Sequence, residues 1–210
     1  MSEILIIILT ISIILTGLKS SKSDEEIVRT EPFYVVAYEG KTKKEENYTA
    51  VYKVYALGIG VGEVYFIKKG NKIEARGQTY PSLRFLYNYD FVYLEQNDYK
   101  ALYEKEKEKE RIYENQEIYE KKPWLPIISQ FFKGRLKEDD ILNMKIKINN
   151  APVKISKRDT ASEYVYIFEP QNSKTKRITI YINKNEDVPY LIEIEGKVNI
   201  TLKRIKWWTI

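Results

Sequence analysis

The chain has 210 residues, 43% of them hydrophobic and 31% charged, with a formal net charge of +5. It holds neither histidine nor cysteine, which excludes Ser-His-Asp and Cys-His catalysis, the usual zinc sites, disulfides and a lipid-modified cysteine. A small positive excess over a mixed-charge surface is no nucleic-acid footprint, so no nucleic-acid partner is expected.

Residues Ile4 to Leu18 are almost all Ile and Leu, interrupted by Thr10, Ser12, Thr16 and Gly17. As a helix this run spans about 22 Å, short of the roughly 30 Å hydrocarbon core, which suits the apolar region of a signal peptide. Ser21 and Ser23 offer small residues for cleavage before Asp24. However, Met1-Ser2-Glu3 carries no basic residue, and Lys19 and Lys22 follow the run, as an uncleaved anchor would have them. Residues 1–23 are therefore expected to be a signal peptide or N-terminal anchor, and 24–210 a single β-rich domain. The expected location is the periplasm or cell envelope, with membrane contact only through the N-terminal segment.

From Asp24 onward the dominant period is two. Tyr48, Ala50, Tyr52, Val54 and Ala56 share one face of an extended segment, with a mixed face opposite. The run Gly58-Ile59-Gly60-Val61-Gly62 has no Lys-Ser/Thr ending, so it is no phosphate loop; glycines in a strand mark a bulge, a bend or a close backbone approach. Residues 63–68 alternate again, Lys69-Gly70-Asn71 reads as a turn, and Lys72 to Thr79 as the returning strand. Two short segments show three-four spacing behind a proline: Pro81 to Tyr87, and Pro126 to Phe132 with Gly134 as a stop. Helices that short persist only when packed against something.

Between them, Glu104 to Glu110 alternates Glu and Lys. A helix would set like charges at every i,i+4 pair, whereas a strand gives a Glu face and a Lys face that can pair across a ladder. A strand is favoured, with solvated charges. Farther on, Leu142, Met144, Ile146 and Ile148 alternate with polar residues, Asn149-Asn150 turns, and Val153 and Ile155 begin the return. Strands then follow at Tyr164–Phe168, Arg177–Ile182, Val188–Ile194 and Lys197–Ile205, which indicates a meandering antiparallel sheet.

The segment Val54 to Glu63, then Leu83-Arg84-Phe85-Leu86-Tyr87, then Asp187 to Ile192 followed by Gly196 and a last strand, resemble an exported bacterial family, domain of unknown function 3108. The resemblance covers roughly Glu31 to Ile205. That family is similar to the open half-barrels of lipoprotein-localisation factors, in which a curved sheet cups a hydrophobic ligand and short helices plug the concavity. It implies a mainly β fold, a curved antiparallel sheet (open half-barrel) with one or two short plug helices. It brings no reaction and no catalytic residues. The candidate ligand-binding residues are Phe85, Leu86 and Tyr87 on the first plug, and Trp124, Ile128, Phe131 and Phe132 on or beside the second.

Eighteen tyrosines, many of them between Tyr80 and Tyr103, suit strand packing or the lining of a half-exposed groove. Carboxylates are plentiful but unpaired by any motif, and neither Asp139-Asp140 nor Asn183–Asp187 has a calcium-loop spacing, so no metal and no cofactor is expected. Three functions stay open. The first is a non-catalytic binding or carrier module for a hydrophobic ligand such as a lipid or acyl chain. The second is an assembly factor docking an envelope protein through a sheet edge or through Trp207-Trp208, and the third a carboxylate-based hydrolase.

Overall fold

The structure, a computed structural model, describes residues 47–134 and 138–209. The expected signal or anchor segment lies outside these residues. The fold is mainly β: eleven antiparallel strands form one large curved sheet that does not close.

The sheet is two meanders joined at their first and last strands. The first runs β1 (Tyr48–Ala56), β2 (Ile59–Lys69), β3 (Lys72–Thr79), β4 (Tyr89–Gln96), β5 (Tyr99–Glu106) and β6 (Lys109–Glu114). Three short helices follow: α1 (Gln116–Lys121), α2 (Trp124–Gln130) and α3 (Glu138–Leu142). A two-stranded hairpin, β7 (Lys147–Ile148) with β8 (Ala151–Pro152), stands apart from the main sheet. The second meander is β9 (Lys154–Asp159), β10 (Glu163–Glu169), β11 (Arg177–Asn183), β12 (Leu191–Glu195) and β13 (Ile200–Thr209). Strand β13 pairs with β1 from Tyr48↔Thr209 to Ala56↔Ile200, so that among the described residues β6 and β9 are the outer strands.

Tight turns hold the first meander in register. Leu57 and Gly58 join β1 to β2, Gly70 lies between β2 and β3, and Asn97 between β4 and β5, all at positive φ. That conformation is cheap for glycine and tolerable for asparagine. Opposite the glycine-rich run, the register of β1 against β2 shifts between Val54 and Tyr55, the bulge expected there. At Gly62 an added Cβ would meet the Gln78 carbonyl oxygen at 2.2 Å, so this glycine permits a close backbone approach.

The alternating charges form a hairpin. The chain turns at Lys107-Glu108, and the register sets Glu104 opposite Arg111, Lys105 opposite Glu110 and Glu106 opposite Lys109. Every facing pair is of opposite sign, which favours the strand over a helix with like charges in contact. One expectation fails here: Glu104 is not solvated but buried on the concave face.

Two further segments differ from the sequence reading. Of residues 142–148, only Lys147–Ile148 form a strand. Helix α3 runs into this stretch instead, with Asp139 and Asp140 in its first turn, where negative charge is favourable, and Ile141 is buried. The period-two signal survives because Met144, Ile146 and Ile148 still pack on the core as extended chain, though only Lys147–Ile148 finds a partner. The first plug helix is also absent. Pro81–Leu83 is a single 3-10 turn with no buried residue, and Phe85 and Leu86 are 81% and 67% exposed. This segment links two adjacent strands, whose spacing is about 5 Å, so it caps the end of the sheet and cannot reach across the concavity.

Candidate functional site

Helix α2 fills the concave side. Pro123 and Pro126 stand at its N-cap and in its first turn, where no amide hydrogen bond is lost, and Gly134 at φ 130 closes the turn after it. Its apolar residues Leu125, Ile127 and Ile128 are fully buried. The two phenylalanines that follow wedge between the meanders. Phe132 stacks on Phe66 with ring centroids 4.4 Å apart and meets Tyr52 edge-on at 6.3 Å. Phe131 faces the other way, 5.4 Å from Tyr166 and 5.9 Å from Phe168. Tyr48 donates a 2.8 Å hydrogen bond to the Phe132 carbonyl, satisfying an acceptor at the helix end. Gly77 leaves room for the Phe91 ring, which an added Cβ would strike, and Ala50 and Ala75 are small buried residues on the same concave face.

Beside Phe131 lies a cleft of about 200 Å³ between α2, α3 and the second meander. Phe131, Ile141, Tyr166 and Ile182 supply its apolar surface. The Lys157 ammonium sits 4.2 Å from the centre of the Tyr164 ring, and Lys184 approaches the same ring at 5.3 Å. Lys184 also pairs with Asp159 at 2.6 Å. Across the cleft, Glu186 is bound by Arg204 at 2.6 Å and by the Asn183 amide at 2.9 Å. The lining is thus mixed: buried apolar and aromatic side chains form its base, and Lys157, Lys184, Glu186 and Asp187 bring charges of both signs to it.

Two buried glutamates clamp α2 to the first meander. Glu95, 1% exposed, accepts from Tyr93 at 2.7 Å and from Ser129 on α2, and pairs with Lys133 at 2.6 Å and Lys100 at 3.5 Å. Glu104 accepts from Tyr89 at 2.9 Å and Tyr113 at 3.2 Å, and pairs with Arg111 at 3.1 Å and with Lys122, just before α2, at 3.1 Å. Burial alone would raise both carboxyls, but the lysine charges and hydrogen-bond donors outweigh it and hold both below the ordinary glutamate value. The same carboxylates, together with burial, push the Tyr89 and Tyr93 hydroxyls well up, burial being the larger cause.

Of the residues singled out from the sequence, Ile128, Phe131 and Phe132 come together on the concave side, and only Phe131 lines the cleft. Trp124 packs edge-on against Phe91 at 5.6 Å. Phe85 and Leu86 stay in solvent, and Tyr87 stacks on Tyr89 at the sheet end. Sequence reasoning missed Lys157, Tyr164, Tyr166 and Ile182. They stood out only as alternating strand residues, and their gathering at Phe131 depends on pairing far along the chain. Among the described residues, no three carboxylates come close enough to hold a metal, and no helix is long and apolar enough to cross a membrane.

No protein-family model matches the chain, so the resemblance to domain of unknown function 3108 is not confirmed. A protein of Aquifex aeolicus (strain VF5) is 36% identical over 156 residues, covering 74% of this chain and 83% of that protein. The chain belongs to that family. The relative is itself uncharacterised, so membership brings no activity with it. Among solved structures, a domain provisionally described as an outer membrane lipoprotein-sorting protein from Vibrio parahaemolyticus aligns with 80% of this chain and 86% of its own. Its identity is 8% and its TM-score 0.38. A LolA superfamily protein from Nitrosomonas europaea covers 79% of this chain and 86% of its own, at 11% identity and a TM-score of 0.29. Likenesses this distant say nothing of what the chain does.

Proposed function

We propose that the protein is an exported, non-catalytic binding module of the cell envelope that holds the apolar part of a ligand such as a lipid or acyl chain in the Phe131 cleft. The observation that carries this reading is an open space beside α2 with Phe131, Ile141, Tyr166 and Ile182 at its base and charged side chains around them. At about 200 Å³ it is smaller than the roughly 300–1,000 Å³ of drug-sized sites, so it suits one end of an acyl chain. The state of the carboxylates supports a non-catalytic role. Glu95 and Glu104 are each held ionised by several donors, which makes them poor bases and poorer acids, and Glu186 is tied by Arg204.

The test is titration of the full chain with an environment-sensitive fluorescent fatty acid. Saturable one-site binding is expected, and Ile182→Phe, which narrows the cleft, should weaken it about tenfold or more with an unchanged circular dichroism spectrum. Saturable binding that ignores the Ile182 substitution, or none at all, would remove the cleft as the ligand site.

A further inference from the structure

Strand β13 ends in Ile205-Lys206-Trp207-Trp208-Thr209. This stretch runs past its neighbour β12, whose last pairing is Leu191↔Lys203, so residues 205–209 have β1 on one side and no described strand on the other. Its large side chains are not buried: Ile205 is 54% exposed, Trp207 40% and Trp208 42%. Register places Trp207 opposite Ala50, on the concave side, and Trp208 opposite Thr49, on the convex side, so the indoles project from both faces of one strand end. An indole packed into a core or a groove would occupy one face only.

The charges on these two strands are basic. Neither β1 nor β13 contains an acidic residue, and together they carry Lys53, Lys203, Arg204 and Lys206, of which Arg204 is answered by Glu186 at 2.6 Å. The Arg204 guanidinium lies 5.9 Å from the Trp207 ring centre and the Lys206 ammonium 5.3 Å from that of Trp208. The β2–β3 turn at the same end adds Lys69 and Lys72, of which Lys72 is answered by Glu74 at 3.7 Å. Tryptophans flanked by long basic side chains are the chemistry of a membrane–water interface: the indole lies at headgroup level, and the lysine stem stays with it while its ammonium reaches phosphate. The chain also enters β1 at this end, at Tyr48 opposite Thr209, so the segment that leads back to the apolar run of residues 4–18 joins the sheet here.

We propose that the Trp207-Trp208 end of the sheet seats the protein on an anionic lipid surface, as a membrane contact additional to the one expected from residues 4–18. This contact is independent of the cleft. The two faces of the strand enter the headgroup region together, and Lys206, Lys69 and Lys203 meet lipid phosphates around them.

The experiment is fluorescence quenching of the full chain bound to phosphatidylcholine–phosphatidylglycerol vesicles with brominated acyl chains. Trp124, packed on Phe91 within the domain, is the built-in control. About two-thirds of the tryptophan emission, that of two indoles among the chain's three, should be quenched at the interface. In the double variant Trp207→Phe/Trp208→Phe the remaining Trp124 emission should be unaffected by bromolipid. Because quenching reports the position of the indoles, an N-terminal segment that binds the vesicle by itself cannot produce this result. Full vesicle binding with unquenched Trp207 and Trp208, as follows if the side of residues 205–209 away from β1 takes a protein strand instead, overturns the proposal. So does a failure of the full chain to bind the vesicles.

Discussion

Phe131 and Phe132 are adjacent in sequence and both buried, yet truncating them should cost different amounts, because different things lie behind them. Phe132→Ala empties about 100 Å³ among Phe66, Tyr52 and Tyr48; at about 24 cal/mol per Å³ the void alone costs about 2.4 kcal/mol. Loss of the buried ring's transfer free energy adds about 2 kcal/mol, for a total of about 4 kcal/mol. Phe131→Ala removes the same atoms beside a cleft rimmed by the exposed side chains of Lys184 and Asp187. Its void merges with space that water reaches, so most of the cavity contribution disappears and about 2 kcal/mol remains. Guanidinium unfolding of the full-length variants, followed by far-ultraviolet circular dichroism at an unchanged m-value, measures both losses. The same Phe131→Ala protein should bind the fatty-acid probe with altered affinity. Equal losses to within about 0.5 kcal/mol, or a larger loss at Phe131, would show that the cleft is closed off as core and would refute the argument.

The glutamate clamps predict a pH dependence. Both folded values lie below the ordinary 4.5, so their stabilisation is complete above that pH and drains away as pH falls through the lower folded values. The thermal midpoint should therefore fall below pH 4.5, and less steeply in Glu95→Gln/Glu104→Gln; Asp159 and Glu110 shift the same way but are solvent-exposed and contribute little. At neutral pH, Glu95→Ala should cost about 2–3 kcal/mol, under the roughly 3–5 kcal/mol of a fully buried pair because Lys133 is partly exposed and can turn to water; chemical denaturation checks this. Gly62→Ala would drive a methyl into the Gln78 carbonyl, and a loss of about 2–3 kcal/mol is expected; an unchanged denaturation midpoint would mean that β2 and β3 separate freely there.

Much of this fold is legible in the chain itself. Alternation at Tyr48–Ala56 and Tyr164–Phe168, the Gly70 turn, the Asn149-Asn150 turn and the stop at Gly134 are local signals, since each depends on a residue's own backbone preference or its nearest neighbours. The charge run is local too: a two-residue turn sets Glu104 against Arg111 without help from elsewhere. The two proline-led segments looked alike for the same reason, sharing spacing and length. Only tertiary structure separates them. Pro81–Leu83 sits between neighbouring strands and buries no residue, while Trp124–Gln130 follows the last strand of one meander and is free to cross the concavity. The buried glutamates are of the same kind, because a carboxylate in an alternating strand reads as solvent-facing until a helix bearing Ser129 and Lys133 is laid over it. The cleft and the tryptophan end depend on the longest-range event, the pairing of β1 with β13, which brings residues some 150 apart in the chain into register. Periodicity settles what each strand buries. Which strands meet, and therefore what gathers at Phe131 and what stays exposed at Trp207 and Trp208, is decided by closing long loops around one shared core, a cost set by the whole chain and written in no single segment of it.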